Sequence, residues 1–219
     1  IRKNKNSFDV TYQITSKKIL SSTLSKLKKI CLDPDIISSH ASALARFAKS
    51  LIKDLSGLFL VHIGDSYTLC LWIKDEIAVK SHIIFIGKND LTNTIDKKSE
   101  EADFSYLQKY PHFQAKFSSL TEEIKTTYFS FSEYNKKDKT DFIFTGNITL
   151  ANDFEKKLYE NLNIDSLNLI STASSEELRL KPYAVSIGLA LDALSKDKKQ
   201  VQFRSEEFLS KKAFRNVKN

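Results

Sequence analysis

The stretch LFLVHIGDSYTLCLWIKDEIAVKSHIIFIG, Leu58–Gly87, constrains the fold of this chain most. It contains β-rich apolar runs at about 58–63, 68–73 and 77–86, with only two tight turns between them. Turns that short join only antiparallel neighbours, so the stretch is a three-strand meander. The first turn, inside HIGDSYT, contains Gly64; the second is Lys74-Asp75. Acids beside such turns, Asp65, Asp75 and Glu76 here, are ordinary turn residues. A meander of this apolarity needs cover, and the flanking sequence supplies helices.

Before it, FDVTYQI (Phe8–Ile14) alternates as a strand. Thr15 or Ser16 caps a helix whose apolar residues Ile19, Leu20, Leu24, Leu27, Ile30 and Cys31 share one face. Pro34 ends it, and LDPDIIS (Leu32–Ser38) reads as a short buried strand. HASALARFAKSLI then repeats its apolar residues at helical spacing through Leu44, Phe47, Ala48, Leu51 and Ile52. After the meander, residues 88–118 read as polar and mobile, with one short helix near 91–102. Ser119-Leu-Thr-Glu122 is a capping box that predicts a helix start there. NKKDKTD reads as a solvated turn, and Asp141–Asn147 (DFIFTGN) as a buried strand ending in a glycine turn. A helix with Leu150, Phe154, Leu158 and Leu162 on one stripe follows, then the short strand DSLNLIS. Lys181-Pro182 opens a helix with small residues Ala184, Ser186, Gly188 and Ala190, suited to close packing. The last piece reads as a short strand and an amphipathic helix. The fold class expected is α/β, a mixed sheet flanked by helices.

Charge is concentrated at the ends. Residues 196–219 carry eight Lys/Arg against three Asp/Glu, and IRKNKN adds three cations at the start, out of a net +7. Basic ends on a near-neutral body suit an anionic membrane surface better than nucleic acid, which favours a basic, aromatic-lined face. No nucleic-acid partner is expected. The chain begins with Ile and contains no Met, and reads as an excised piece of a longer protein. Cys31 and Cys70 read as two buried thiols in a reducing compartment. His40, His62, His82 and His112 have no ligand-like spacing, so no metal is expected.

The order of these segments resembles the actin-like ATPase superfamily. HIGDSYT resembles its second phosphate-binding hairpin, and FIFTGNITLANDFEKKL its later nucleotide-contacting strand, glycine turn and helix. SKKILSSTLSKLKKICLDPDIISSHASALARFAKSL and KPYAVSIGLALDAL are similar to segments of PilM-type pilus assembly proteins and GspL-type cytoplasmic domains of type II secretion. The resemblance covers most of Lys17–Leu194. It implies an actin-like (ribonuclease H-like) fold whose first phosphate loop lies upstream. Residues 1–56 would be the remainder of a first lobe, and 57–180 a second lobe with the meander. Residues 181–200 would be a closing helix, and 201–219 a basic juxtamembrane or peptide-like tail.

The resemblance also implies the site. Nucleotide-binding members usually show Asp-x-Gly at the hairpin turn; here it is His62-Ile63-Gly64, with Asp65 beyond the glycine. The paired glycines of the later turn are replaced by Gly146-Asn147. His62, Gly64, Asp65, Gly146 and Asn147 are thus expected to form a degenerate nucleotide site, without catalysis or cofactor. VQFRSEEFLSKKAFR resembles the peptide that links such domains to their membrane partner. Val201, Phe203, Arg204, Glu207 and Phe208 are expected to dock, and Lys211, Lys212, Arg215 and Lys218 to lie beside a membrane segment beyond Asn219. The function implied is a non-catalytic scaffold on the cytoplasmic face of the bacterial inner membrane. It would join platform proteins of a secretion or pilus machine to the assembly ATPase. The alternative is an actin-fold ATPase or nucleotide-binding protein.

Overall fold

The structure is a computed structural model that describes residues 2–4, 7–9, 11–52, 57–93, 104–132, 140–146, 153–170, 179–195, 202–204 and 208. The meander forms as expected. Strands β3 (Leu58–Ile63), β4 (Thr68–Lys74) and β5 (Ile77–Ile84) pair antiparallel, and Asp75 and Glu76 take positive φ in the second turn. β6 (Thr140–Gly146) then lies parallel to β3, and β7 (Leu167–Leu169) parallel to β6. The sheet order is β5-β4-β3-β6-β7. β3 is central and buried along its whole length, which is why LFLVHI is continuously apolar up to His62. An N-terminal pair, β1 (Arg2–Asn4) and β2 (Ser7–Asp9), forms a separate two-stranded sheet.

Two cores follow from the alternation of β3. Phe59, Val61 and Ile63 face one side with Phe142 and Phe144, under α5 (Pro111–Ser132) and α6 (Phe154–Leu162). Leu58 and Leu60 face the other side with Ile143, under α2 (His40–Leu51) and α7 (Ala184–Leu194). The first core is aromatic: Phe59 stacks on Phe142 at 5.7 Å, and Phe104 meets Phe117 edge-on at 5.0 Å. Aromatic pairs of this kind each add about 0.5–1.5 kcal/mol beyond area burial.

α2 and α7 cross at contact distance. A Cβ on Gly188 would lie 1.9 Å from the carbonyl oxygen of Ala43. Arg46 Nε donates to Asp192 Oδ1 at 2.9 Å beside this crossing, and Asp192 is buried. The small-residue pattern of the closing helix therefore serves helix approach, with Gly188 as the residue that permits it.

Several local expectations are corrected. The first strand is confined to Ser7–Asp9, and residues 11–16 have no regular structure. Leu32–Ser38 is not a strand: no described segment offers it a ladder, and it stays half-buried. Helix α1 (Lys17–Lys29) forms but buries only Leu20 and Leu24; Ile19 and Ile30 are exposed. Cys31 is exposed, at φ 60° just past the helix end, whereas Cys70 is buried as expected. Helix α5 starts at Pro111, not at the Ser119 capping box, which lies inside it. Proline at a first helical position is favourable, and the extra turns bury Phe113 and Phe117. Upstream, α3 (Lys88–Thr92) and α4 (Phe104–Leu107) are short helices; part of the helix expected near 91–102 lies outside the described residues. Most of NKKDKTD, and Leu150, also lie outside them. The closing helix is entered through a 3₁₀ turn, Lys181–Tyr183.

Candidate functional site

A cleft of about 480 Å³ opens at the carboxyl ends of β3 and β6, lined by His62, Ile63, Gly64, Asp65, Gly146, Pro182 and Tyr183. Parallel neighbours with their carboxyl ends at one rim are where open α/β sheets bind ligands. Four of the expected site residues, His62, Gly64, Asp65 and Gly146, therefore converge; Asn147 lies outside the described residues.

The register explains the convergence. His62 is paired with Thr145 across the β3–β6 ladder, and Ile63 with Gly146. His62 Nδ1 sits 3.1 Å from Thr145 Oγ1. The imidazole is 8% exposed, and burial, reinforced by the nearby His40, pushes its pKa down to about 4. His62 is thus neutral at pH 7. Gly146 has φ +92°, and a Cβ there would lie 2.3 Å from the Ile63 carbonyl oxygen. Only glycine lets β6 leave the sheet this close to β3.

The Gly64 turn is internally closed. Gly64 N–H donates to the Tyr67 carbonyl at 2.9 Å. The carbonyls of Gly64 and Asp65 accept from Lys88 N–H and Asn89 N–H, each at 2.9 Å, so the start of α3 donates into the turn. Gly87 is pressed against it: a Cβ would lie 2.5 Å from Tyr67 N and 2.6 Å from Asp65 O. Tyr67 Oη lies 2.5 Å from His40 Nδ1 at the start of α2, and burial pushes the phenol pKa up. These contacts fix the turn from two sides and leave Gly64 N–H committed to a hairpin bond.

The resemblance raises a Mg²⁺-nucleotide as the ligand of such a cleft. Mg²⁺ requires oxygen ligands in octahedral array. Among the described residues the turn offers a neutral imidazole within hydrogen-bond distance of Thr145 and one carboxylate residue, Asp65, which follows the glycine and also lines the cleft. Thr145, Tyr67 and His40 were not among the expected site residues. Thr145 reaches His62 through the β3–β6 register, and Pro182 and Tyr183 come from a distant segment, so none of the three had a local signal.

A second place holds the tail. Phe203 N–H donates to the Ile37 carbonyl at 2.9 Å, and Ile37 N–H to Gln202 Oε1 at 2.8 Å. Arg204 Nη2 donates to Asp33 Oδ1 at 2.5 Å, with the guanidinium buried. Its Nε and Nη1 are buried, with no hydrogen-bond partner among the described residues. Phe208 is half-buried; Val201, Glu207, Lys211, Lys212, Arg215 and Lys218 lie outside the described residues. No strand forms at 202–204. The Lys181 ammonium, also buried, pairs with both Glu155 oxygens at 2.6 and 2.9 Å and ties the cleft-lining 3₁₀ turn to α6.

No family model and no curated protein matches the chain. Solved structures do. The chain is similar to one described as the PilM-PilN type IV pilus biogenesis complex, at 16% identity and TM-score 0.59, covering 80% of this chain and 58% of that one. It is also similar to ethanolamine utilization protein EutJ from Carboxydothermus hydrogenoformans, at 12% identity and TM-score 0.54, covering 79% and 62%. The mixed five-stranded sheet with helices on both faces is therefore an actin-like fold of the kind found in PilM. The chain spans about three fifths of the length of these two structures. Among the described residues no helix is long and apolar enough to cross a membrane.

Proposed function

We propose that the chain is a non-catalytic scaffold: part of an actin-like domain on the cytoplasmic face of an inner membrane, in a type IV pilus or type II secretion machine. In this reading it binds platform proteins on one side and the assembly ATPase on the other. Residues 1–56 complete a first lobe whose last helix, α2, lies across α7; 57–180 form the second lobe, and 181–200 the closing helix. The observation that carries the reading is His62, a neutral imidazole bonded to Thr145 at a turn where nucleotide-binding members have a carboxylate. The complex with PilN formed by the similar pilus protein supports a binding role.

Calorimetric titration of the chain with Mg²⁺-ATP tests this. No binding heat is expected, from the natural sequence or from His62→Asp. Micromolar binding by the natural sequence, about −8 kcal/mol, would favour the nucleotide-binding alternative.

In the same reading the tail docks on the Asp33–Ile37 segment through Val201, Phe203, Arg204, Glu207 and Phe208. Lys211, Lys212, Arg215 and Lys218 then stand at the membrane surface. Truncation after Gln200 is expected to lower the unfolding free energy by about 1–2 kcal/mol, once the ordering entropy of the tail is deducted from its hydrogen bonds. Urea denaturation measures this, and an unchanged midpoint would mean that the tail adds nothing by docking.

A further inference from the structure

We propose that docking of the tail is felt at the cleft: residues 202–204 hold the Asp33–Ile37 segment, that segment sets His40, and His40 fixes Tyr67 in the Gly64 turn. The tail grips Ile37 through both backbone groups. Its N–H donates to Gln202 Oε1 at 2.8 Å, and its carbonyl accepts from Phe203 N–H at 2.9 Å. Gln202 Nε2 also donates to the Asp35 carbonyl at 3.3 Å, and Arg204 Nη2 to Asp33 Oδ1 at 2.5 Å. Three residues after Ile37 stands His40, the first residue of α2. Its Nδ1 lies 2.5 Å from Tyr67 Oη, and the two rings stack with 6.2 Å between centroids. Tyr67 in turn closes the hairpin, its carbonyl accepting from Gly64 N–H at 2.9 Å. Gly64 and Asp65 line the cleft.

A shift at Ile37 reaches His40 because little between them can absorb it. Ser39 Oγ accepts from Ser42 N–H at 3.0 Å, so Ser39–Ser42 is a capped first turn that moves as one block with His40 inside it. Ser38 is the only residue between that block and Ile37. Gln13 braces the same block from segment 11–16: it accepts from Ser39 Oγ at 2.6 Å and donates to Ser42 Oγ at 3.1 Å. The tail is therefore one of two holds on the start of α2, and the coupling to the cleft is partial.

This coupling rests on the tail docking proposed above but needs neither a membrane nor a pilus machine. Its failure is thus separate from the outcome of the nucleotide titration. Release of the tail is expected to loosen the Gly64 turn, and capture of the tail by a partner would do the same.

Amide hydrogen exchange of the full chain tests this, comparing the natural sequence with Gln202→Ala/Arg204→Ala. The Ile37 amide reports the dock. The Gly64 amide and the Lys88 amide, which donates to the Gly64 carbonyl, report the turn. Leu60 and Ile143, paired in the central ladder, report global unfolding. The turn amides are expected to exchange about 3- to 10-fold faster in the variant, beyond any change at Leu60 and Ile143. Tyr67→Phe removes the hydroxyl that meets His40. In that background the tail substitutions are expected to add no further acceleration at the turn, as a double-mutant cycle requires of a shared route. A faster Ile37 amide with an unchanged turn would overturn the coupling and leave the docking intact. An unchanged Ile37 amide would overturn both. Acceleration at the turn that persists in full with Tyr67→Phe would overturn the route through His40.

Discussion

Replacing Gly188 by alanine is expected to destabilise the chain by at least about 2 kcal/mol, although alanine is the better helix former. Intrinsic propensity favours alanine over glycine in a helix interior by about 0.8–1.0 kcal/mol. Against that stands the crossing of α7 and α2. The new methyl would lie 1.9 Å from Ala43 O, 2.5 Å from its carbonyl carbon and 3.0 Å from its Cα. These are backbone atoms of a helix, so relief requires the two helices to separate. Separation uncovers Leu44 and Ala184, both fully buried, and pulls Arg46 away from the buried Asp192 carboxylate. Overpacking costs about 1–3 kcal/mol where side chains can yield, and more where they cannot. Packing therefore outweighs propensity. Ser186→Ala, at an exposed position of the same helix, supplies the control: it is expected to be neutral or to stabilise by about 0.5 kcal/mol. Urea midpoints measure both. A Gly188→Ala protein as stable as the natural one would show that α2 and α7 are not in contact at Ala43.

Acidification should unfold the chain partly through His62. The unfolded imidazole titrates near 6.5 and the folded one near 4. Between those values the unfolded state binds more protons, so stability falls as pH falls. The contribution is fully present above pH 6.5 and is lost as pH drops through 4. At about 1.4 kcal/mol per pH unit, the gap is worth about 3 kcal/mol. Protonation costs this much because the ring is buried on the α2/α7 side of the sheet and His40 stands nearby. His62→Asn keeps a polar group near Thr145 and removes the titration. The natural chain is expected to lose about 3 kcal/mol more than His62→Asn between pH 7 and pH 4, by urea denaturation at each pH. Parallel stability curves would mean that the imidazole is not held neutral by burial.

Elements whose evidence is local were legible in the sequence. Tight turns dictate antiparallel neighbours whatever else the chain does, so the meander could be read from Leu58–Gly87 alone. The apolar stripe of HASALARFAKSLI buries Ala43, Leu44, Phe47 and Ala48 in α2 as its spacing implies. The small residues of the closing helix announced a close approach, though not what it approached.

Where the outcome depends on a partner elsewhere in the chain, the sequence pointed to something the tertiary structure does not show. Leu32–Ser38 has strand-like composition but no neighbouring ladder, so its half-buried backbone bonds instead to Gln202 and Phe203. The capping box at Ser119 is locally sound. It is overridden because Phe113 and Phe117 gain more by entering the aromatic core beside Phe104 and Phe154 than the helix gains by starting later. The periodicity of α1 marks a face without saying how much of it is covered, and only Leu20 and Leu24 are.

The candidate site divides the same way. The sequence alone determined which residue types stand at the two glycine turns, and hence that the first carries histidine in place of a carboxylate. Only the tertiary structure decided that these turns share a cleft, and that His62 meets Thr145 and is held neutral. The reason is physical. Residue identity sets the chemistry available, but burial, register and hydrogen-bond commitment are properties of neighbours more than eighty positions apart in the chain.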